Sequence, residues 1–216
     1  MNSALRVAVV EDDRLYREML TSALSREEGI TVPVSVEGAR EARELIVPGS
    51  IDVALLDVEL PDGNGVALGI QLRRKDPELG IMLLSSQDVM ELLLDLPPDV
   101  RQGWSYLSKA STISMSFVTH AIRATSRGVP VLDEELVNRV RLRKGSTLST
   151  LTPRQLEVLQ LVAVGLSNLA IAQRLGISGR SVENHLHLVY QALELPENCN
   201  PRVSAVLRFI EETSRE

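Results

Sequence analysis

Polar side chains follow four of the short apolar runs in the first half of the chain. They are Glu11-Asp12-Asp13, Asp57, Ser85 and Lys109. Carboxylates gathered in a small space repel one another unless a cation is present, and an all-oxygen ligand set suits Mg²⁺ rather than Zn²⁺. With such an ion nearby, Asp57 could be a nucleophile that forms an acyl phosphate. Lys109 would then pair with the phosphoryl oxygens, and Ser85 could donate a hydrogen bond to one of them.

The elements that must position these residues alternate regularly over the first 130 residues. The pattern predicts strands at 5–10, 31–36, 52–56, 80–84 and 104–107, and helices at 15–25, 39–46, 66–74, 89–94 and 113–126. Strands that are apolar throughout need cover on both faces, and strand–helix alternation is typical of a doubly wound α/β domain. The carboxyl ends of such strands meet at one edge of the sheet. We therefore expect the polar residues to lie together.

Each of these polar residues also has an ordinary structural explanation. An aspartate after a buried strand is usually a turn or helix cap, and a single lysine is usually solvated. The hypothesis of a shared site depends on their joint occurrence, in chain order, at the strand ends.

Helical signals dominate after the small polar segment 144–150. Thr152-Pro153-Arg154-Gln155 combines an N-cap threonine, a proline at the first helical position and a capping-box glutamine. Further helices are predicted at 168–175, 179–193 and 201–212. The two helices that meet at Gly176-Ile177-Ser178 have the spacing of a helix-turn-helix, spanning 167–186, whose second helix enters the DNA major groove. A purely structural helical hairpin is the alternative.

Composition restricts the class of protein. The 216 residues are 44% hydrophobic and 24% charged, with a net charge of −6, which excludes a disordered or collagen-like chain. A single cysteine, Cys199, excludes an internal disulfide and a multi-cysteine zinc site. No apolar run reaches the roughly 20 residues of a membrane span, and acidic residues come too early for a signal peptide. We expect a cytoplasmic protein without a membrane partner.

The first half resembles the receiver domain of bacterial two-component response regulators. The resemblance covers Leu5 to about Arg127 and rests on VVEDDRLYREML, ALLDVELPDGNGV, LLSS and GWSYLSKA. It implies a flavodoxin-like, five-stranded parallel sheet in a domain 1–127. It also implies a sensor histidine kinase as phosphodonor and an aspartyl phosphate whose formation needs Mg²⁺.

This resemblance implies a set of metal ligands. Counting back from Arg17-Glu18 identifies Glu11 and Asp12 as the acidic pair, with Asp12 bound directly to the metal and Glu11 mainly through water. Asp57 is the implied phosphoacceptor and also a metal ligand, and the backbone carbonyl of Glu59 completes the protein ligands.

The same resemblance implies a switch. Ser85 matches the switch hydroxyl, Tyr106 the switch aromatic, which would turn inward, and Lys109 the lysine that contacts the phosphoryl group. The stretch 89–104 departs from the family pattern, and Pro97-Pro98 must end any helix there. We expect an unusual dimer contact in that region, built on Leu92, Leu93, Leu94 or Leu96.

The second half, LTPRQLEVLQLVAVGLSNLAIAQRLGISGRSVENHLHLVYQAL, resembles the LuxR-type DNA-binding domain of NarL/FixJ-type response regulators. It agrees with the four-helix, all-α domain that the pattern predicts at 148–216. The residue pattern also predicts a linker at 128–147, with a possible helix at 133–143. Promoter DNA is the implied partner, bound by a phosphorylated homodimer, with RNA polymerase as a further candidate partner. The residues expected to face DNA are Arg180, Ser181, Glu183, Asn184 and His187.

Two departures from the LuxR-type pattern concern charge. Leu169-Ala170 replaces the usual Lys-Glu, and Glu183 replaces a basic residue. The arginines expected to contact DNA phosphates are Arg154, Arg174, Arg180 and Arg202. Because residues 149–216 carry a net charge of −1, we expect DNA binding to be weak in the monomer and to depend on dimerisation.

The leading hypothesis is a transcription regulator, not an enzyme, whose DNA binding is switched by phosphorylation. One alternative is an atypical regulator controlled without phosphorylation. The other is an interaction module whose helical domain has lost DNA binding.

Overall fold

The computed structural model describes residues 4–86, 96–97, 100, 103–139, 141–143, 145–195 and 199–214. The predicted helix 89–94 lies outside the described residues. The chain divides into two units, Met1–Val129 and Pro130–Glu216. Within the part of the chain that is described, no helix has both the length and the apolar character needed to cross a bilayer.

The first unit is built on a five-stranded parallel sheet. Its strands are β1 (Leu5–Val10), β2 (Ile30–Val36), β3 (Val53–Asp57), β4 (Gly80–Ser85) and β5 (Trp104–Ser108), in the order β2-β1-β3-β4-β5. All residues of β3 and β4 are buried, as expected for strands covered on both faces. The doubly wound α/β fold predicted from the sequence is therefore confirmed.

The helices of this unit lie close to their predicted positions. They are α1 (Arg14–Ser25), α2 (Ala39–Leu45), α3 (Gly65–Lys75) and α4 (Met115–Thr125). The predicted helix 113–126 begins differently: a 3-10 turn at Lys109–Ile113 comes first, and α4 starts at Met115. Ser108 caps this turn by accepting a hydrogen bond from the backbone of Ser111, so the end of β5 leads directly into a fixed loop.

The loop after β3 brings two helix starts against the sheet. Glu59–Leu60 and Gly63–Asn64 pair as a short hairpin, and the Asp62 carboxylate accepts the N–H groups of Ala39 and Arg40 at the start of α2. A Cβ on Gly65 would lie 1.9 Å from the carbonyl oxygen of Asp57. Only glycine permits this approach, so the first residue of α3 fixes the peptide that follows the β3 carboxylate.

The second unit is mainly helical. Its helices are α5 (Glu134–Arg139), α6 (Pro153–Ala163), α7 (Asn168–Leu175), α8 (Gly179–Ala192) and α9 (Pro201–Glu212), with a 3-10 turn at Thr147–Thr150. Thr152 and Gln155 form the predicted capping box, and Gly176 ends α7 with a φ of 63°. The last four helices are the ones predicted from the sequence, and Phe209 lies fully buried among them.

The segment predicted as a linker, 128–147, belongs mostly to this second unit. The N–H of Leu132 donates to the carbonyl of Ala163 at 2.8 Å, and Leu132, Leu136 and Val137 are buried. The possible helix 133–143 is shorter than predicted, because α5 ends at Arg139 and a short strand, β6 (Arg141–Leu142), pairs antiparallel with β7 (Thr213–Ser214). Apolar residues in this segment therefore add to a core.

Candidate functional site

Three carboxylates meet at the carboxyl edge of the sheet. Glu11 follows β1, Asp57 is the last residue of the neighbouring strand β3, and one oxygen from each of Glu11, Asp12 and Asp57 lies within 4.8 Å of the others. Glu11 and Asp57 are buried, whereas Asp12 is exposed. The N–H of Glu59 donates to Asp57 Oδ1 at 3.2 Å. The parallel sheet thus concentrates negative charge at one point of its edge.

Lys109 lies among these carboxylates. Its Nζ is 2.8 Å from Glu11 Oε1 and 3.0 Å from Asp57 Oδ2, and its side chain is 20% exposed. Burial lowers the pKa of Lys109, but the hydrogen bonds to Glu11 and Asp57 outweigh this effect, and the net pKa is raised. The lysine is therefore held in its charged form.

One lysine does not satisfy all of this negative charge. Glu11 Oε2 is buried and has no hydrogen-bond partner among the described residues. Burial raises the pKa of Glu11, helped by the charge of Asp57 and opposed by Lys109. An orphaned carboxylate oxygen beside two more carboxylates is an all-oxygen donor set, which suits a hard divalent cation such as Mg²⁺. The residues present therefore fit a magnesium ion.

The turn between β1 and α1 is fixed by its own side chains. The Arg17 guanidinium donates to the carbonyl of Glu11 and, at 3.2 Å, to that of Asp12. Asp13, the third acid of the run, accepts the N–H of Tyr16 at 2.9 Å and so caps α1. Sequence reasoning used Arg17 only to count positions and missed this contact, because an arginine four residues along a helix carries no signal of its own.

Two further predicted residues lie on the neighbouring strands. Ser85 is the buried last residue of β4 and is in register with Ser108, directly before Lys109. Tyr106 is already buried in β5, with 2% of its surface exposed. Of the leucines predicted for a dimer contact, Leu96 is 3% exposed and offers little surface; Leu92, Leu93 and Leu94 lie outside the described residues.

The second candidate surface is the exposed face of α8. Ser178 caps this helix, and its buried side is formed by Val182, Leu186 and Val189. The residues predicted to face DNA lie away from that side. Arg180, Glu183, Asn184 and His187 are exposed, and Ser181 is partly exposed.

Three of the four arginines predicted to contact phosphates already make ion pairs or hydrogen bonds with other groups of the protein. Those contacts are Arg154 with Glu157, Arg174 with Glu134, and Arg202 with the carbonyl of Leu166. Burial also lowers the pKa of Arg202. Arg180 is exposed and makes no side-chain hydrogen bond or ion pair within the described ranges. The positive charge directly available on this surface is therefore smaller than the sequence suggested.

Comparison with known families identifies both halves of the chain. Residues 7–112 match the response regulator receiver domain, and residues 149–205 match the luxR family of bacterial regulatory proteins. The chain belongs to the response regulators that join a receiver domain to a LuxR-type DNA-binding domain. Response regulators of this family are transcription regulators that work with sensor kinases and bind DNA, and their receiver domains typically bind Mg²⁺.

Full-length relatives agree with this assignment. The response regulator is 28% identical over 230 residues to the transcriptional regulatory protein DegU of Brevibacillus brevis, covering 95% of this chain and 93% of DegU. It is also 28% identical over 199 residues to the response regulator protein VraR of Staphylococcus aureus, covering 89% and 92%. A solved structure of RcsB from Salmonella typhimurium has the same fold, with a TM-score of 0.54, 19% identity and coverage of 97% and 98%.

Proposed function

We propose that this response regulator is switched by phosphorylation of Asp57 and that the phosphorylated form binds promoter DNA as a dimer. The observation that carries the proposal is the cluster formed by the buried carboxylates of Glu11 and Asp57 with the exposed carboxylate of Asp12. Lys109 contacts both buried members, and one oxygen of Glu11 has no hydrogen-bond partner in the part of the chain that is described. A purely structural ion pair would need one carboxylate for its lysine, whereas three carboxylates with one lysine suit a cation and a phosphoryl group.

In the proposed reaction, a carboxylate oxygen of Asp57 attacks the phosphorus of a phosphohistidine on the sensor kinase. The phosphorus–nitrogen bond breaks as the oxygen–phosphorus bond forms, and the imidazole leaves with the electron pair and takes up a proton. Bound Mg²⁺ would neutralise charge on the transferred group. Asp12 would bind the magnesium ion directly and Glu11 mainly through water, with Asp57 and the carbonyl of Glu59 as the other ligands.

Lys109 and Ser85 then respond to the new group. Lys109 Nζ lies 3.0 Å from Asp57 Oδ2, and this bond must give way to one with a phosphoryl oxygen. Ser85, at the end of the adjacent strand, would donate a second hydrogen bond. Because Tyr106 is already buried, we propose that it keeps its position when Asp57 is phosphorylated. A ligand shifts an equilibrium only by binding two states differently, and these contacts provide that difference.

The DNA-reading element is α8, the second helix of the helix-turn-helix. Asn184 offers an amide that pairs well with adenine, and His187 and Ser181 lie nearby on the same helix. Arg180 provides the uncompensated positive charge. With so few phosphate contacts, a single copy binds weakly, and two copies on two half-sites bind more firmly. Bound next to a promoter, such a dimer would contact or exclude RNA polymerase.

The coupling between the two units is tested by selecting bound DNA sequences from a random pool with the full chain. The selection is run with and without acetyl phosphate and Mg²⁺, on the wild type and on Asp57→Asn. We expect a palindromic site to be enriched only with the phosphodonor and only in the wild type. Equal enrichment by Asp57→Asn would instead support control without phosphorylation.

The docking of α8 is tested by its salt dependence. Glu183→Lys changes the charge of an exposed recognition-helix residue by two units, and it should steepen the plot of log K against log salt by about 0.9. Glu194→Lys makes the same charge change at an exposed position beyond the far end of α8 and is the matched control. An equal effect of both variants would contradict the docking, and no salt-dependent binding by any of the proteins would favour an interaction module.

A further inference from the structure

Tyr16 contacts the side-chain ammonium of Lys109 and is linked to the backbone carbonyl of the same residue. Lys109 Nζ is 5.1 Å from the centroid of the Tyr16 ring. The Tyr16 hydroxyl is 2.6 Å from Thr112 Oγ1, and Thr112 Oγ1 donates to the carbonyl of Lys109, also at 2.6 Å. Because the Thr112 proton is used in that bond, the Tyr16 hydroxyl donates to Thr112. A side chain of α1 is thus linked to the turn that carries the lysine.

These contacts restrict a side chain that is otherwise flexible. The lysine ammonium is carried on a flexible four-carbon stem, so holding it in one place is entropically unfavourable. Glu11 and Asp57 accept two of its three N–H donors. When Asp57 carries a phosphoryl group, the bond to Asp57 Oδ2 must be exchanged, and the aromatic face remains as a contact that need not change.

We propose that Tyr16 is a positioning residue for Lys109, holding its ammonium by the ring and its backbone turn through Thr112, so that Lys109 reaches the phosphoryl group on Asp57. This inference rests on the proposed function and deepens it. Cation–π contacts are strongest when the ammonium is partly desolvated, and Lys109 is only 20% exposed. The raised pKa of Lys109 is consistent with an ammonium that stays charged beside the ring.

Lysine NMR offers a direct test of the contact. The chain has three lysines, Lys75, Lys109 and Lys144, and labelling their ε-carbons gives three signals that Lys75→Arg and Lys144→Arg assign by elimination. The ring current of Tyr16 should shift the Lys109 ε-protons upfield of the other two. The shift should persist in Tyr16→Phe and disappear in Tyr16→Leu.

The functional arm uses beryllofluoride with Mg²⁺ as a phosphoryl mimic, with binding to the full chain measured by calorimetry. Tyr16→Leu should bind it about 2- to 30-fold more weakly, the range expected for losing one cation–π contact, whereas Tyr16→Phe should stay within about threefold of the wild type. Leu15→Ala, a change at the 79% exposed neighbour on α1, is the control and should bind like the wild type.

The outcomes separate the two hypotheses. If the wild type binds beryllofluoride and Tyr16→Leu binds it equally well, the positioning role is wrong and the proposed function stands. If Tyr16→Phe loses as much as Tyr16→Leu, the hydrogen bond to Thr112 accounts for the whole effect, and the ring contact that positions the ammonium is overturned. If the wild type itself does not bind beryllofluoride, the proposed function fails first.

Discussion

Replacing Lys109 with alanine removes the cation that contacts two buried carboxylates. Its partners Glu11 and Asp57 have side chains that are 0% and 5% exposed, so neither can turn to bulk water without a structural change. The variant leaves Glu11, Asp12 and Asp57 close together with no nearby lysine. We therefore expect the receiver unit to lose stability.

The expected size follows from the burial of the pair. Removing one partner of a buried ion pair costs about 3–5 kcal/mol, and the 20% exposure of Lys109 argues for a value near the lower end, about 3 kcal/mol. With a urea m-value of roughly 1–3 kcal/mol/M, the midpoint should fall by about 1–3 M. Mg²⁺ should restore more stability to the variant than it adds to the wild type, because it supplies positive charge to the same carboxylates.

Tryptophan fluorescence measures this unfolding selectively. The chain has one tryptophan, Trp104, which is 3% exposed and lies in β5 of the receiver unit. Urea titrations at pH 7 are compared for the wild type, Lys109→Ala and Lys75→Ala. Lys75 is exposed at the end of α3, so its loss should change stability by no more than about 0.5 kcal/mol.

The pH dependence has a defined sign. Burial raises the pKa of Glu11 in the wild type, and loss of Lys109 must raise this pKa further. Between the ordinary glutamate pKa, about 4.3, and the raised value, the folded state binds more protons than the unfolded state, so stability falls as pH rises. The deficit of Lys109→Ala should therefore be largest at neutral pH and shrink towards pH 4–5. A variant as stable as Lys75→Ala at pH 7 would refute this account of the cluster.

Three further changes test separate contacts. Mg²⁺ at ten times its Kd should stabilise the wild type by about 1.4 kcal/mol in thermal unfolding. Asp12→Ala, at an exposed position, should abolish this gain and should not lower stability without the ion, because it removes one of three clustered carboxylates; a retained gain would remove Asp12 from the ligands. Gly65→Ala places a carbon 1.9 Å from the carbonyl oxygen of Asp57 and should lower the Trp104-detected urea midpoint by more than Gly63→Ala, whose added carbon meets its nearest neighbour at 3.3 Å; equal midpoints would show that α3 moves freely. Glu212→Ala removes the acceptor of the Thr147 N–H and hydroxyl and should destabilise the helical unit by about 1–3 kcal/mol in circular-dichroism melts, whereas an unchanged melt would make the contact incidental.

The sheet and most helices could be predicted because their signals are local. Apolar runs predicted the strands to within about a residue. Capping residues predicted where helices begin, and Thr152, Ser167 and Ser178 do cap helices at those positions. The start of α4 was misplaced because Ser108 caps a separate turn first. That turn competes locally with the helix, and periodicity does not distinguish the two.

Contacts between distant segments could not be predicted in the same way. The pairing of β6 with β7 joins residues near opposite ends of the second unit, and neither two-residue strand has a pattern of its own. Tyr16 and Lys109 are 93 positions apart. The convergence of the carboxylates was predictable only because a parallel sheet brings its strand ends together. No comparable rule exists for side chains on helices, so Arg17 and Tyr16 were missed.

The central claim is that Asp57 accepts a phosphoryl group in a reaction that needs Mg²⁺. Intact-protein mass spectrometry after incubation with acetyl phosphate tests it most directly. The account predicts one added phosphoryl group on the wild type with Mg²⁺, none without the ion, and none on Asp57→Ala under either condition. A wild type that stays unmodified with Mg²⁺, or an Asp57→Ala protein that still gains the group, would contradict it.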